Sequence, residues 1–304
     1  MNSSSPPPPH VLAAFNLPET PQQLPGGQGQ SYQVANAVLK PVDERQEAEY
    51  VSRLQHELRR NGDKTPGYRL AEPIPATGPG QPCEYVVDGW AATVLVPGCA
   101  GPSGLEGRWN RVLHAGRVFH GDLATMVREP PPFIAARSHR WARGDRIAWD
   151  EEQPAEDGVQ IVPEFEEAFN GLLQLRRPIA AENTKCQLVH GDLAGNVLFP
   201  VSGGDSASSP TIIDLSLYWR PVEYAEAIVV ADGLIWHGEG ENLVRVLGTD
   251  AFRLQMLVRA LIFRLVASSE ALRQGHGLVD DDEPKAFVRA VRLVAQLLEH
   301  DLTT

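Results

Sequence analysis

Two short apolar runs, residues 197–199 (Val-Leu-Phe) and 211–213 (Thr-Ile-Ile), lie on either side of a polar, serine-rich stretch at 202–209. Runs of this length bounded by turn residues read as strands, and the polar stretch as the tip of a hairpin. Asn196 precedes the first strand and Asp214 follows the second, 18 residues later. An antiparallel pair brings the start of one strand beside the end of the other. The hairpin therefore delivers an amide and a carboxylate to the same end, hard oxygen donors of the kind that suits Mg²⁺. Just upstream, Leu188 and Val189 lead into His190-Gly191-Asp192-Leu193-Ala194-Gly195. An aspartate and an asparagine on one tight loop can combine a proton-accepting role with a metal-ligand role. Turn and capping aspartates are the commoner explanation of any single acid, but not of this ordered set.

The rest of the chain sets that hairpin in an α+β plan. Residues 1–9, with four consecutive prolines, read as a disordered tail. Tyr32–Ala35 and Ala37–Leu39 read as strands joined through Asn36, and 43–60 as a helix. Residues 61–82 are a loop around one short strand. Residues 83–87 and 91–96 are strands joined by Asp88-Gly89, a good hairpin turn. After residue 98 the pattern turns helical, at 104–127, 163–175, 222–237, 241–273 and 284–302. The division is a β-rich N-lobe over 10–97 and a mostly helical C-lobe over 98–304 that contains the embedded hairpin.

Charge narrows the partners. With 27 basic against 39 acidic residues the net charge is −12. A nucleic-acid surface must be basic, so the charge argues against such a partner, whereas a cationic small molecule is compatible. Cys83, Cys99 and Cys186 form neither a metal spacing nor a disulfide framework, which suits a reducing compartment. The N-terminus lacks the pattern of a signal peptide. The longest apolar run, 254–266, is broken by Arg259 and Arg264, so no membrane span is expected. The expected location is the cytoplasm.

Phosphoryl transfer from a nucleotide requires a backbone cradle for phosphates, a cation and a metal site. The turn Leu24-Pro25-Gly26-Gly27-Gln28-Gly29, just before a strand, supplies a cradle. Alone it is a weak signal, since glycine-rich loops are usually only turns. Lys40, one of only four lysines, ends the next strand. On the following helix Tyr50, Val51, Leu54 and Leu58 share a face at ~100° per residue, and Glu47 falls near its middle. A glutamate there wants a partner, and Lys40 is the obvious one; Glu44, at the edge of the stripe, is the reserve acid. Glu49 falls on the opposite side.

In these motifs the chain resembles the aminoglycoside phosphotransferase and choline kinase-like family, and more closely an uncharacterised branch described mainly from actinobacteria. The resemblance runs from the glycine turn and Val38-Leu39-Lys40-Pro41 through His190-Gly191-Asp192 to Ile213-Asp214. It implies a two-lobe protein-kinase-like fold, with ATP and Mg²⁺ as cofactors and a small-molecule hydroxyl as acceptor. It implies Asp192 as catalytic base and Asn196 and Asp214 as metal ligands. Gly26, Gly27 and Gly29, a Lys40–Glu47 ion pair, and the segment 94–98 around Val96 would bind nucleotide. His190 would brace the catalytic loop. Three departures stand out. Only three residues separate Asp192 from Asn196, where four are usual. Leu215-Ser216 replaces Phe-Gly after Asp214, and no activation segment follows. The last two argue against a protein substrate.

Other signals are expected to be bland. Phe119-His120-Gly121-Asp122 copies the start of the motif inside a helix and reads as coincidence or helix packing. Arg137, Arg140, Arg143 and Arg146 are expected to pair locally with Asp145, Asp150 and Glu151. Glu223, Glu226 and Asp232 read as solvated acids. The leading expectation is a small-molecule kinase; the rival, favoured by the shortened loop, is a nucleotide-binding regulatory or pseudokinase-like protein without transfer activity.

Overall fold

The structure, a computed structural model, describes residues 5–18, 20–24, 30–62, 67–77, 83–98, 108–154, 158–180, 184–200, 209–278 and 280–301. It divides into two units. The first comprises residues 1–100 together with 196–215, and the second 101–195 together with 216–304.

The first unit is built on a five-stranded antiparallel sheet of β1 (Gln22–Gln23), β2 (Tyr32–Val34), β3 (Ala37–Pro41), β5 (Val86–Val87) and β6 (Trp90–Val94), in the order β1-β2-β3-β6-β5. Its two central hairpins close on residues with positive φ, Ala35 (φ 52°) between β2 and β3, and Asp88-Gly89 (φ 46° and 74°) between β5 and β6. Successive left-handed residues match the twist of the flanking strands, which is why Asp-Gly serves there. Tyr32, Val34, Ala37, Leu39, Trp90 and Ala92 turn inward, and Val11, Leu12 and Phe15 of α1 (Pro9–Ala14) and the residue after it complete that core. Pro8 caps α1, so the ordered chain begins earlier than a tail over residues 1–9 allows. α2 (Arg45–Gly62) buries Ser52, Leu54, Gln55 and Leu58.

β4 (Arg69–Leu70) carries the embedded hairpin into this unit. It pairs in parallel with β9 (Thr211–Ile212), which pairs antiparallel with β8 (Val197–Leu198). The expected hairpin therefore exists, but its ladder to β4 assigns residues 196–215 to the first unit and not to the C-terminal one. The glycines at 26, 27 and 29 and the hairpin tip at 201–208 lie outside the described residues.

The second unit holds α3 (Arg108–Met126), α4 (Pro132–Ala136), α5 (Arg140–Ala148), α6 (Pro163–Leu175), α7 (Val222–Trp236), α8 (Glu241–Leu247), α9 (Ala251–Arg273) and α10 (Glu283–Asp301), with one ribbon of β7 (Gln187–His190) and β10 (Leu217–Arg220). The helix expected over 241–273 is two helices. Gly248 (φ 111°) ends α8, and Asp250 starts α9 by accepting from the Arg253 backbone N–H at 3.1 Å. β10 is not among the expected strands; the run Leu-Tyr-Trp-Arg before Pro221 is rich in strand formers but too short to stand out. α9 is buried on nearly every side, from Leu254 to Glu270, and its Arg259 and Arg264 are buried with it. Among the described residues no helix is long and apolar enough to cross a membrane.

α5 and α9 approach closely because Gly144 has no side chain. A Cβ there would stand 2.7 Å from the Phe263 carbonyl oxygen, a backbone atom that cannot rotate away. Gly144→Ala is expected to destabilise the protein by about 1–3 kcal/mol, the usual cost of overpacking, measured as a lower urea midpoint.

Candidate active site

Among the described residues, Lys40, Glu47, Val96, Asn196 and Asp214 belong to the first unit and Asp192 to the second. In the first unit Lys40 is the next-to-last residue of β3, its backbone opposite Ala91 of β6. Its ammonium donates to Asp214 Oδ2 at 2.6 Å, with both side chains a third to a half exposed. Asp214 directly follows the β8–β9 hairpin, and its backbone is left-handed (φ 53°). That conformation costs a non-glycine residue of order 1–3 kcal/mol and persists only where its surroundings hold it. The backbone oxygen of Asn196 accepts from Ile213 N–H at 2.9 Å, which extends the hairpin ladder by one step. Asn196 and Asp214 thus lie at one end of the hairpin. Val96 lies half-buried beyond β6, where Leu95 N–H is held by the Asn36 carbonyl at 2.7 Å.

The ion pair expected between Lys40 and Glu47 is replaced by the one with Asp214. Glu47 sits half-buried on α2. Glu49, expected on the far side, instead turns to the sheet, where Oε1 accepts from the backbone N–H groups of Tyr85 and Val86 at 2.9 and 3.0 Å. The face that α2 buries includes the polar Ser52 and Gln55 as well as Leu54 and Leu58.

In the second unit β7 ends at His190, and Gly191 N–H bonds the Ser216 carbonyl at 2.9 Å before the loop turns out. Gly191 is required by contact. A Cβ would stand 2.6 Å from the Tyr218 ring. His190 then shapes the start of the loop, since its Nδ1 accepts from Asp192 N–H at 3.1 Å. Its own backbone N–H donates to His120 Nε2 at 3.0 Å, and Gln187 Nε2 donates to the His120 carbonyl at 2.8 Å.

His120 is the near-copy of the motif, and its role is packing. It lies on the face of α3 that also presents Gly116, where a Cβ would come within 2.7 Å of Leu193, and Arg108, whose Nη2 donates to the Ala194 carbonyl at 2.9 Å. Three positions on one helix therefore fix the loop from His190 to Ala194. Sequence inspection singled out His120 but missed Arg108 and Gly116, whose only signal is their helical spacing from it.

Asp192 projects from this braced loop with its side chain 44% exposed. Its Oδ1 accepts from Arg264 Nη2 at 2.7 Å. Arg264, only 3% exposed, also donates through Nε and Nη2 to both oxygens of Asp232, each at 2.7 Å. Burial works against the guanidinium charge, but Asp232 and Asp192 outweigh it and raise its pKa. Asp232 is thus a buried partner and not the solvated acid its sequence suggests. Sequence inspection had no means of linking Asp192, Asp232 and Arg264, which lie on three separate elements.

The arginine cluster is structural. Arg137 donates to the Leu217 carbonyl and lies over Tyr218, while Arg143 and Arg146 pair with Glu152. The acids expected to serve it are used elsewhere, Asp145 and Glu151 by Arg220, and Asp150 by Arg176.

The His120 imidazole is buried and accepts at Nε2, so it must be neutral; burial first, and then the charge of His190, pushes its pKa down to about 3. Between that value and the ordinary histidine pKa near 6.5, the unfolded chain binds a proton that the folded chain refuses. Stability therefore falls as pH drops below about 6.5, by up to about 1.4 kcal/mol per pH unit from this group. Urea midpoints measured from pH 7 to pH 5 should fall accordingly, and His120→Gln should flatten the trend.

No family model matches the chain, and no curated protein matches it in sequence. Solved structures do. The aminoglycoside phosphotransferase APH(4)-Ia, in a ternary complex with AMP-PNP and hygromycin B, is 14% identical over 94% of this chain and 97% of its own, with a TM-score of 0.56. A microcompartment-associated aminopropanol kinase is 15% identical over 96% and 97%, with a TM-score of 0.54. An aminoglycoside phosphotransferase from Alicyclobacillus acidocaldarius is 14% identical over 99% and 98%, also with a TM-score of 0.54. The chain has the kinase-like fold of these phosphotransferases, a small β-sheet region with a larger helical part.

Proposed function

We propose that this chain is an ATP- and Mg²⁺-dependent phosphotransferase acting on a hydroxyl of a small molecule. The observation that carries the reading is the Lys40–Asp214 pair, which joins residues 174 apart in sequence at 2.6 Å. The two side chains are the phosphate-binding cation and metal-binding acid that phosphoryl transfer needs. Solved proteins of this fold, one bound to hygromycin B and one an aminopropanol kinase, support a small acceptor, and the AMP-PNP bound in the first supports nucleotide use. The net charge of −12 favours a cationic acceptor. Use of ATP assigns the enzyme to the cytoplasm, and the motif run from Leu24 to Asp214 supports kinship with the actinobacterial branch.

The residues present suit Mg²⁺. Asn196 and Asp214 offer hard oxygen donors, and the Lys40 ammonium beside Asp214 marks a place where positive charge is favoured. Asn196 and Asp214 would hold Mg²⁺, which when bound neutralises charge on the β- and γ-phosphate oxygens.

The chain's own groups do the rest. The glycines at 26, 27 and 29 cradle phosphates through backbone N–H groups, and backbone near Val96 receives the base. Lys40 would bind phosphate oxygens, and Glu47 of α2 would serve as its acidic partner with Asp214 given to the metal. Asp192 accepts the proton of the acceptor hydroxyl as its oxygen bonds to the γ-phosphorus and the bond to the β–γ bridging oxygen breaks, releasing ADP.

Turnover is measured as ADP release on a panel of aminoglycosides and amino alcohols, and binding as Mg²⁺-dependent thermal stabilisation by ATP. Asp192→Asn should abolish ADP release and leave Mg²⁺-ATP stabilisation intact; undiminished release overturns the mechanism. Lys40→Ala removes a charge-assisted bond worth about 1.5–3 kcal/mol, so Mg²⁺-ATP affinity should fall about tenfold or more. Stabilisation without turnover on any acceptor favours the regulatory reading, to which the three-residue spacing of Asp192 and Asn196 belongs.

A further inference from the structure

Arg264 and Asp232 have no place in the chemistry above, yet among the described residues they form the most deeply buried ion pair that touches a site residue. Both side chains are only 3% exposed. A guanidinium and a carboxylate taken out of water are expensive, and apolar residues of similar volume commonly serve a core as well or better. Arg264 stands between the apolar runs 260–263 and 265–267 of α9, and Asp232 lies in a run of Val, Ala, Gly and Leu on α7. A charge retained at such a position calls for a role beyond packing.

The geometry supplies one. Asp232 holds the arginine by both oxygens, Nε to Oδ1 and Nη2 to Oδ2, which fixes the plane of the guanidinium. The aromatic rings of Trp141, Trp236 and Phe263 lie 5.3, 5.7 and 4.9 Å from its central carbon and close it in. The oriented Nη2 then bonds Asp192 Oδ1. Three elements, α5, α7 and α9, thus converge on one guanidinium, whose Nη2 reaches a carboxylate oxygen of a side chain that is nearly half exposed.

We infer that Arg264, oriented by Asp232, is the positioning residue of Asp192: it fixes the plane of that carboxylate towards the acceptor hydroxyl and supplies its counter-charge. The backbone restraints from His120, His190 and Arg108 hold the loop, but they leave the Asp192 side-chain torsions unset. The bond from Arg264 acts on the carboxylate itself. Lysine could provide charge but not the fork, because Nε and Nη2 are needed together to bind Asp232 and reach Asp192. The inference rests on the phosphotransferase reading, in which Asp192 is the base.

The test compares the wild type with Arg264→Gln, Arg264→Lys and Asp232→Asn, with ADP release measured on the same acceptor panel and on water as acceptor. Circular dichroism and melting temperature establish that each variant folds; Asp232→Asn, nearly isosteric, keeps the test open where Arg264→Gln does not fold. Loss of orientation should lower kcat at least tenfold in Arg264→Gln and Asp232→Asn, with the KM for Mg²⁺-ATP within twofold of wild type. Arg264→Lys should recover only part of the loss. A merely structural role predicts instead a lower melting temperature with kcat of the folded enzyme within twofold of wild type, and that result overturns the inference, as does a change confined to KM for ATP. Wild-type protein without Asp192-dependent turnover overturns the phosphotransferase reading and this inference with it. Wild-type turnover that is indifferent to Arg264 overturns the inference alone.

Discussion

A guanidinium inside an apolar helix bundle needs partners that reach it, and Arg264 on α9 has two carboxylates. Asp232 comes from α7 and Asp192 from the loop after β7, while Trp141 of α5 and Trp236 of α7 add their ring faces. The cost of leaving that charge unpaired runs to several kcal/mol, so the helices and the loop are tied to a common geometry. α3 holds the same loop through backbone and imidazole contacts, with His120 and His190 in series. Asp192 is therefore the exposed end of an arrangement whose charged members Arg264 and Asp232 are buried.

The first unit shows the same economy with more solvent. Lys40 and Asp214 are partly exposed, so their attraction is weakened by water and the pair can open at modest cost. The left-handed backbone of Asp214 gives the opposite signal, a local strain maintained by the hairpin and by β4. A carboxylate held in a strained backbone beside a displaceable cation suits a group that exchanges one positive partner for another.

Much of this was legible in the sequence. The hairpin of β8 and β9, the Asp88-Gly89 turn, Lys40 at a strand end and helix α6 all follow from short-range periodicity and turn chemistry. The departures share a cause. Glu49 reaches the sheet from outside the apolar stripe, because backbone N–H groups at the start of β5 offer its carboxylate partners there. Lys40 took Asp214 because strand pairing brought a residue from far along the chain within reach. Asp232, expected in solvent, is buried because Arg264 compensates its charge. His120 was visible as a motif fragment, but its value as a buttress depends on α3 lying against β7.

The sequence by itself determined the α+β composition of the chain, the order of its motifs and the residue types its chemistry would use. These are local properties, carried by periodicity, turn residues and spacing. Tertiary structure decided which charges meet. Lys40 with Asp214, Glu49 with the start of β5, and Arg264 with both Asp232 and Asp192 are pairings between distant segments. A buried charge takes whichever partner the packing brings to it, and no window along the chain contains both members.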